Sequence, residues 1–213
     1  MSLHKLIRKK KQIKRKRKYS NINIPWVEKY RPNDINDVIL DDFIRIKMEK
    51  IIRNRSIPNL IITGEPSTGK TSTIQSVTRK IYDKKLYENN VLELNASDDR
   101  GLNIITNTIL PFCKKKIDKK NHKLIILDEA DSITAKAQNL LSNIITEFKN
   151  NNRFVFICNN CSKLNESIQS KCMIIKFPNI HKKNLKLRVK KICENENITY
   201  TKKGIKALIF VSN

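Results

Sequence analysis

Asn59-Leu-Ile-Ile-Thr63-Gly64-Glu65-Pro66-Ser67-Thr68-Gly69-Lys70-Thr71 decides the fold of this chain. A short apolar run, Asn59–Thr63, reads as a buried strand and passes directly into G-x-x-x-x-G-K-[ST]. A helical pattern over Thr71–Tyr82 follows at once. Strand, glycine loop and helix in that order let backbone N–H groups wrap phosphates, with the helix N-terminus adding its partial positive charge. Only four glycines occur in 213 residues and two of them frame this loop, so a chance match at this spacing is rare. Lys70 is placed to reach the terminal phosphate oxygens, and the Thr71 hydroxyl to hold Mg²⁺.

Outward from the loop, further apolar runs at Val91–Asn95, Leu124–Leu127 and Phe154–Cys158 read as buried parallel strands. A fifth, Met173–Phe177, follows a shorter loop. The intervening segments, such as Ala135–Phe148, are long enough for crossover helices. This alternation predicts an α/β fold with a parallel five-stranded sheet. Pro178 closes it. Lys182–Asn197 and Thr201–Val211 then read as two helices with no strand between, the start of a small helical domain. The expected organisation is a basic flexible tail over 1–24, an ATP-binding domain over 25–179 and a partial helical lid over 180–213.

The third strand ends in Asp128-Glu129-Ala130-Asp131, at the carboxyl edge where α/β sheets bind ligands. Alone, such an acidic pair is commonly a helix N-cap. Beside a phosphate loop it reads as Asp128 holding Mg²⁺ and Glu129 polarising the attacking water as general base. The adjacent glutamate favours hydrolysis driving a motion over phosphoryl transfer to a substrate.

Composition narrows the remaining classes. The net charge is +24, ten of the 44 Lys and Arg lie in residues 5–18, and the first acid is Glu28. Removing that segment's charge leaves +14 on the remainder. Lys, Ile and Asn all have AT-rich codons, so charge supports a polyanionic partner without proving one. The Lys14–Lys18 cluster reads as a nuclear import signal, a phosphate-binding arm or a solvated terminus. No apolar run approaches the ~18 residues of a membrane span, and no secretory signal follows the basic start. Five cysteines, an odd and sparse set, point to free thiols in a reducing, intracellular setting. Cys158-x-x-Cys161 lacks the second pair a zinc site needs. His4, His122 and His181 stand isolated in polar, expected-exposed segments, which argues against a Cys/His or Ser/His hydrolase.

Five segments together resemble the replication factor C small subunits, the AAA+ clamp-loader ATPases: Pro25-Trp-Val27-Glu-Lys-Tyr30-Arg31-Pro32, the phosphate loop, Leu92-Glu-Leu-Asn95-Ala-Ser-Asp98-Asp-Arg-Gly101, Asp128-Glu129-Ala-Asp131 and Ser167-Ile-Gln-Ser170-Lys171-Cys172. The similarity runs from about Pro25 to Val211. It implies an AAA+ P-loop NTPase using ATP and Mg²⁺ inside a hetero-oligomeric ring with other clamp-loader subunits. Such a ring loads a sliding clamp onto primer–template DNA, in the nucleus or another site of replication. The implied ATP-binding residues are Gly64, Glu65, Pro66, Ser67, Thr68, Gly69, Lys70, Thr71 and Ser72, with Val27, Tyr30 and Arg31 lining an adenine pocket. Asn159 matches the sensor that orients water near the γ-phosphate. Lys171 stands where relatives place an arginine finger acting on the neighbouring subunit's ATP.

Several positions depart from the pattern. Lys for Arg at 171 keeps a charge but loses the bidentate fork. Glu65 and Ser67 replace Pro and Gly in the loop, Leu40 replaces Gly, Ser142-Asn143 replaces Arg-Arg, and Thr106 replaces a basic DNA-facing residue. Leu110–Lys120 lies where relatives touch the clamp, though a lysine run also reads as a solvated face. Relatives continue past the stretch like Ile205–Asn213 into a Gly-Asp-Met-Arg segment, the rest of the lid and a collar. The sequence is therefore read as a divergent, C-terminally truncated member. The alternatives are a non-hydrolysing structural or DNA-binding subunit of such a ring, and another P-loop enzyme such as a helicase loader.

Overall fold

The computed structural model describes residues 24–97, 102–115 and 122–211. The basic tail up to residue 23, the Asp98–Gly101 part of the clamp-loader-like segment and the end of the lysine run after Lys115 lie outside those residues. The chain divides between Arg31 and Pro32 into two units, each described by itself. In the first, Trp26–Lys29 forms a single helical turn, and Arg31 pairs with Glu28 at 2.6 Å.

The second unit carries a five-stranded sheet in the order β2-β3-β4-β1-β5, all pairs parallel. The strands are β1 (Leu60–Gly64), β2 (Val91–Asn95), β3 (Lys123–Asp128), β4 (Asn152–Cys158) and β5 (Met173–Phe177). Period-2 alternation sends their side chains to opposite faces. Leu60, Ile62, Leu124, Ile126, Val155 and Ile157 pack with one set of helices, and Ile61, Ile125, Leu127, Phe154 and Phe156 with the other. The five strands and the parallel sheet are those the sequence predicts, with ends shifted by one or two residues.

Two helices cover the first face, α1 (Asp42–Asn54) and α2 (Lys70–Ile81). The α1 helix starts where the Asp41 carboxylate accepts from the Phe43 N–H at 3.0 Å, and stops at Arg55 in the left-handed conformation. It buries Ile44, Met48 and Ile51. A short helix, α3 (Lys84–Asn90), leads into β2. The other face is covered by α4 (residues 102–114) and α5 (Ala135–Glu147). The middle of α4 widens into a π-turn over Ile105–Ile109, where the Leu110 N–H bonds Ile105 O. Pro111 explains it: with no N–H to give and a ring that crowds the preceding turn, it cannot continue an α ladder. Beyond β4 come a one-turn helix, α6 (Glu166–Gln169), then β5, α7 (Lys182–Asn195) and α8 (Lys202–Val211).

His122 departs from the exposed position expected of it. It is half-buried, and desolvation lowers its pKa below the usual histidine value. Its neighbour Lys123 is wholly buried, yet its ammonium donates to the carbonyls of Phe112 at 2.5 Å, of Cys113 and of Lys115. A cation thus finishes α4, where helix carbonyls lack partners.

Candidate nucleotide site

Parallel register brings the ends of all five strands to one edge. Thr63 pairs with Cys158, Gly64 with Phe177 and Asn95 with Asp128. Gly64 fits there because it has no side chain: a Cβ would lie 2.4 Å from the Phe177 carbonyl oxygen. Gly69, at φ 89°, turns the loop into α2. Ser67 takes a left-handed φ of 62°, a conformation in which a serine carries backbone strain and a glycine would not. The Thr68 hydroxyl closes the loop onto Glu65 O at 2.9 Å. Glu65 itself is exposed at the loop's outer side.

Inside this loop Lys70 is 7% exposed. Its ammonium donates to Gly64 O and Glu65 O, both at 2.8 Å, and to Asn159 Oδ1 at 3.0 Å. Three neutral acceptors satisfy three N–H donors. Burial pushes the Lys70 pKa down, opposed by the carboxylate of Asp128. Asn159 is held in turn, because Thr63 Oγ1 donates to its carbonyl at 3.1 Å. Next to them Thr71 Oγ1 donates to Asp128 Oδ2 at 2.8 Å, and the Glu129 N–H caps Asp128 Oδ1 at 2.9 Å. Glu129 is exposed and left-handed at φ 52°, which turns the chain away just after β3. Ser72 follows Thr71 half-buried in the first turn of α2.

This donor set fits a hard divalent cation beside a polyphosphate. A hydroxyl and a carboxylate oxygen 2.8 Å apart are Mg²⁺-type ligands, and the Lys70 acceptors are carbonyls that an anionic phosphate oxygen outcompetes.

Beside the loop, a pocket is lined by Ile39, Leu40, Thr68, Phe177, Pro178, Ile180 and His181 among others. Its walls are largely apolar and lie against the phosphate loop. Three distant segments supply these residues, so sequence spacing does not group them. The only local sign is Ile39-Leu40 directly before the Asp41 cap. A second, open cavity lies between Glu65, Asn159, Asn160 and Lys176. Val27, Tyr30 and Arg31 belong to the separately described N-terminal unit. Lys171 is not at this edge. It sits at the opposite end of the sheet, where Asn59 Nδ2 donates to its carbonyl at 3.4 Å. Thr106, in α4, turns its hydroxyl onto its own helix carbonyls, Leu102 O and Asn103 O, both at 3.2 Å.

The fold and loop define a class. The ATPase family associated with various cellular activities (AAA) matches residues 60–179, and the chain belongs to that family. Solved structures agree on architecture: a RuvB variant of Thermotoga maritima superposes with a TM-score of 0.65 at 14% identity, covering 84% of this chain and 59% of that one. Within the class, the chain is a homologue of replication factor C small subunits. It is 43% identical over 192 residues to human replication factor C subunit 5, covering 90% of this chain and 56% of that protein. To subunit 4 of Saccharomyces cerevisiae it is 36% identical over 194 residues, covering 90% and 60%. The chain therefore spans less than two thirds of the length of these relatives.

Proposed function

We propose that this chain is a clamp-loader subunit that binds and hydrolyses ATP with Mg²⁺ to help place a sliding clamp on primer–template DNA. It would act within a hetero-oligomeric ring at a site of DNA replication. The observation that carries the reading is the Lys70 ammonium bridging the loop carbonyls to Asn159, beside the Thr71–Asp128 pair. The domain reading keeps 25–179 as the ATP-binding part and 180–213 as the lid.

Loop N–H groups and Lys70 would orient the β- and γ-phosphates as the ammonium exchanges Gly64 O and Glu65 O for anionic oxygens. Thr71 and Asp128 would hold Mg²⁺, which supplies charge neutralisation along the phosphates. Asn159, released from the ammonium, would hold the attacking water, and Glu129 would accept its proton. Ile39, Leu40 and Phe177 would flank the base. Val27, Tyr30 and Arg31 would keep the adenine-binding role that the family resemblance implies. Lys171 would supply a cation to a neighbouring subunit's nucleotide.

A non-hydrolysing ring subunit is the second reading, favoured by Lys at 171 and by the altered phosphate loop with its strained Ser67. The experiment that separates them measures ATP binding and turnover of wild type and Lys70→Ala, alone and assembled, with and without primed DNA. Hydrolysis above the Lys70→Ala background supports the enzyme. Binding with no turnover above that background, even when assembled, supports the second reading.

A further inference from the structure

Lys171 is fixed at its backbone and at its tip. Its N–H donates to Ile168 O at 3.1 Å, and its carbonyl accepts from Asn59 Nδ2. Asn59 also accepts from the Phe154 N–H through its side chain and from the Met173 N–H through its carbonyl, both at 2.9 Å. The backbone at Lys171 is therefore tied to β4 and β5. At the tip, the ammonium donates to Ser142 Oγ at 2.5 Å, Ser167 Oγ at 3.1 Å and Ser142 O at 3.4 Å. The two hydroxyl oxygens are themselves 2.5 Å apart. Ser142 is 2% exposed inside α5, whereas Ser167 lies on the surface in α6. Gln138 locks the two helices together, donating to Lys163 O at 2.9 Å and accepting from the Asn165 N–H at 2.7 Å. Only the side-chain torsions of Lys171 remain to move its charge.

We propose that Ser142 and Ser167 are positioning residues for Lys171, which hold its ammonium on its own subunit and yield it to a polyphosphate presented by another. The inference rests on the reading of Lys171 as the trans-acting cation. An ammonium has three donors, and three oxygens are offered here. All three are neutral, so exchange for water brings little gain and the free chain keeps the contact. A phosphate oxygen is anionic and makes a shorter, stronger bond, so exchange runs toward the nucleotide. An arginine would not match this seat: its planar fork brings five donors to three acceptors clustered around one point. Lysine at 171 and serine at 142 thus belong together. The pair that departs from the clamp-loader pattern forms one bonded unit.

The test uses the full chain and an amine-acylating reagent, with modification at each lysine followed by mass spectrometry. In wild type, Lys171 is expected to react at least fivefold more slowly than the exposed Lys163. The Ser142→Ala/Ser167→Ala double variant brings the two within about twofold. Ser142→Thr, which keeps the hydroxyl, restores protection, and Ser167→Ala alone, at a surface position, gives an intermediate rate without a packing change. Wild-type Lys171 reacting as fast as Lys163, or protection unchanged by the double variant, overturns the proposal. In the assembled ring, the double variant should alter ATP turnover severalfold in the Lys171 background and leave it unchanged in Lys171→Ala. If labelling behaves as expected while wild type, double variant and Lys171→Ala turn over equally, delivery to a neighbour is refuted and the trans reading of Lys171 falls with it. If Lys171 is unprotected while Lys171→Ala slows turnover, the trans reading stands and the serine seat is overturned.

Discussion

Two lysines at opposite ends of the sheet solve the same problem by different means. Lys70 and Lys171 each have an ammonium facing three neutral oxygens. Lys70 takes two of its acceptors from the backbone of a loop whose shape is set by Gly64 and Gly69, and only Asn159 is a replaceable side chain. Lys171 takes two of three from serine hydroxyls. A seat made of backbone survives most substitutions. One made of hydroxyls can be lost by changing single atoms. The comparison separates what the P-loop fold enforces from what this particular chain has acquired.

The largest effect that would break the comparison is Lys70→Ala. Losing two or three charge-assisted contacts to the phosphates should weaken ATP binding by roughly a hundredfold or more, read by titration with a fluorescent nucleotide. An unchanged affinity would remove the loop from the site. Next comes Lys171→Arg. In the assembled ring it should raise turnover by about tenfold or more, since the fork stabilises phosphoryl charge better and the serine seat no longer fits it. Equal turnover would mean that the two cations are equivalent at that position. Gly64→Ala strikes the backbone seat without touching a side chain. Its Cβ would meet Phe177 O at 2.4 Å, and a destabilisation of about 2–4 kcal/mol should lower the melting temperature by roughly 5–12 °C.

The smallest effect tests the scaffold between the two lysines. Burial raises Cys113 and Cys158 to about 11 and Cys172 and Tyr82 to about 12. The folded chain keeps protons there that the unfolded chain has already lost. Their contribution is complete below the unfolded thiol value of 9.0 and fades as pH rises toward 11 and 12, so the melting temperature should fall over that window. Lys70 has the opposite sign, because its folded pKa is lowered and its unfolded form holds the proton longer. Lys70→Ala should therefore steepen the alkaline fall. A wild-type curve flat to pH 11 would contradict the burial of these groups.

Much of the fold was legible because its signals are local. Apolar runs of four or five residues became the five strands, and the glycine spacing fixed the turn at their edge. The α1 helix was harder to read. Phe43 and Ile46 are exposed beside the buried Ile44 and Met48, so the apolar residues do not form one clean stripe. The widened α4 was hidden because Pro111 argues against a helix that survives around it as a π-turn. At the site, the hydrogen bonds join Lys70 to Asn159 and Thr71 to Asp128, residues that the spacing and the resemblance single out. The apolar pocket and the seat of Lys171 were not legible. Each joins residues 25 or more positions apart, and Ser142 reads in sequence as only a missing arginine.

Asn59 and Gly64 are the two ends of one short stretch of chain. Gly64 accepts from the Lys70 ammonium, and Asn59 holds the backbone of Lys171. Five residues of extended chain span roughly 17 Å, so the anchors of the two lysines lie at opposite ends of β1. On the proposed reading, a copy that receives a cation at one edge gives its own at the other. Such a contact cannot close on itself through a twofold axis, because donor and acceptor patches never share a face. On that reading each subunit would have a head and a tail, and the direction of the β1 strand would give the polarity in which a row of them is strung.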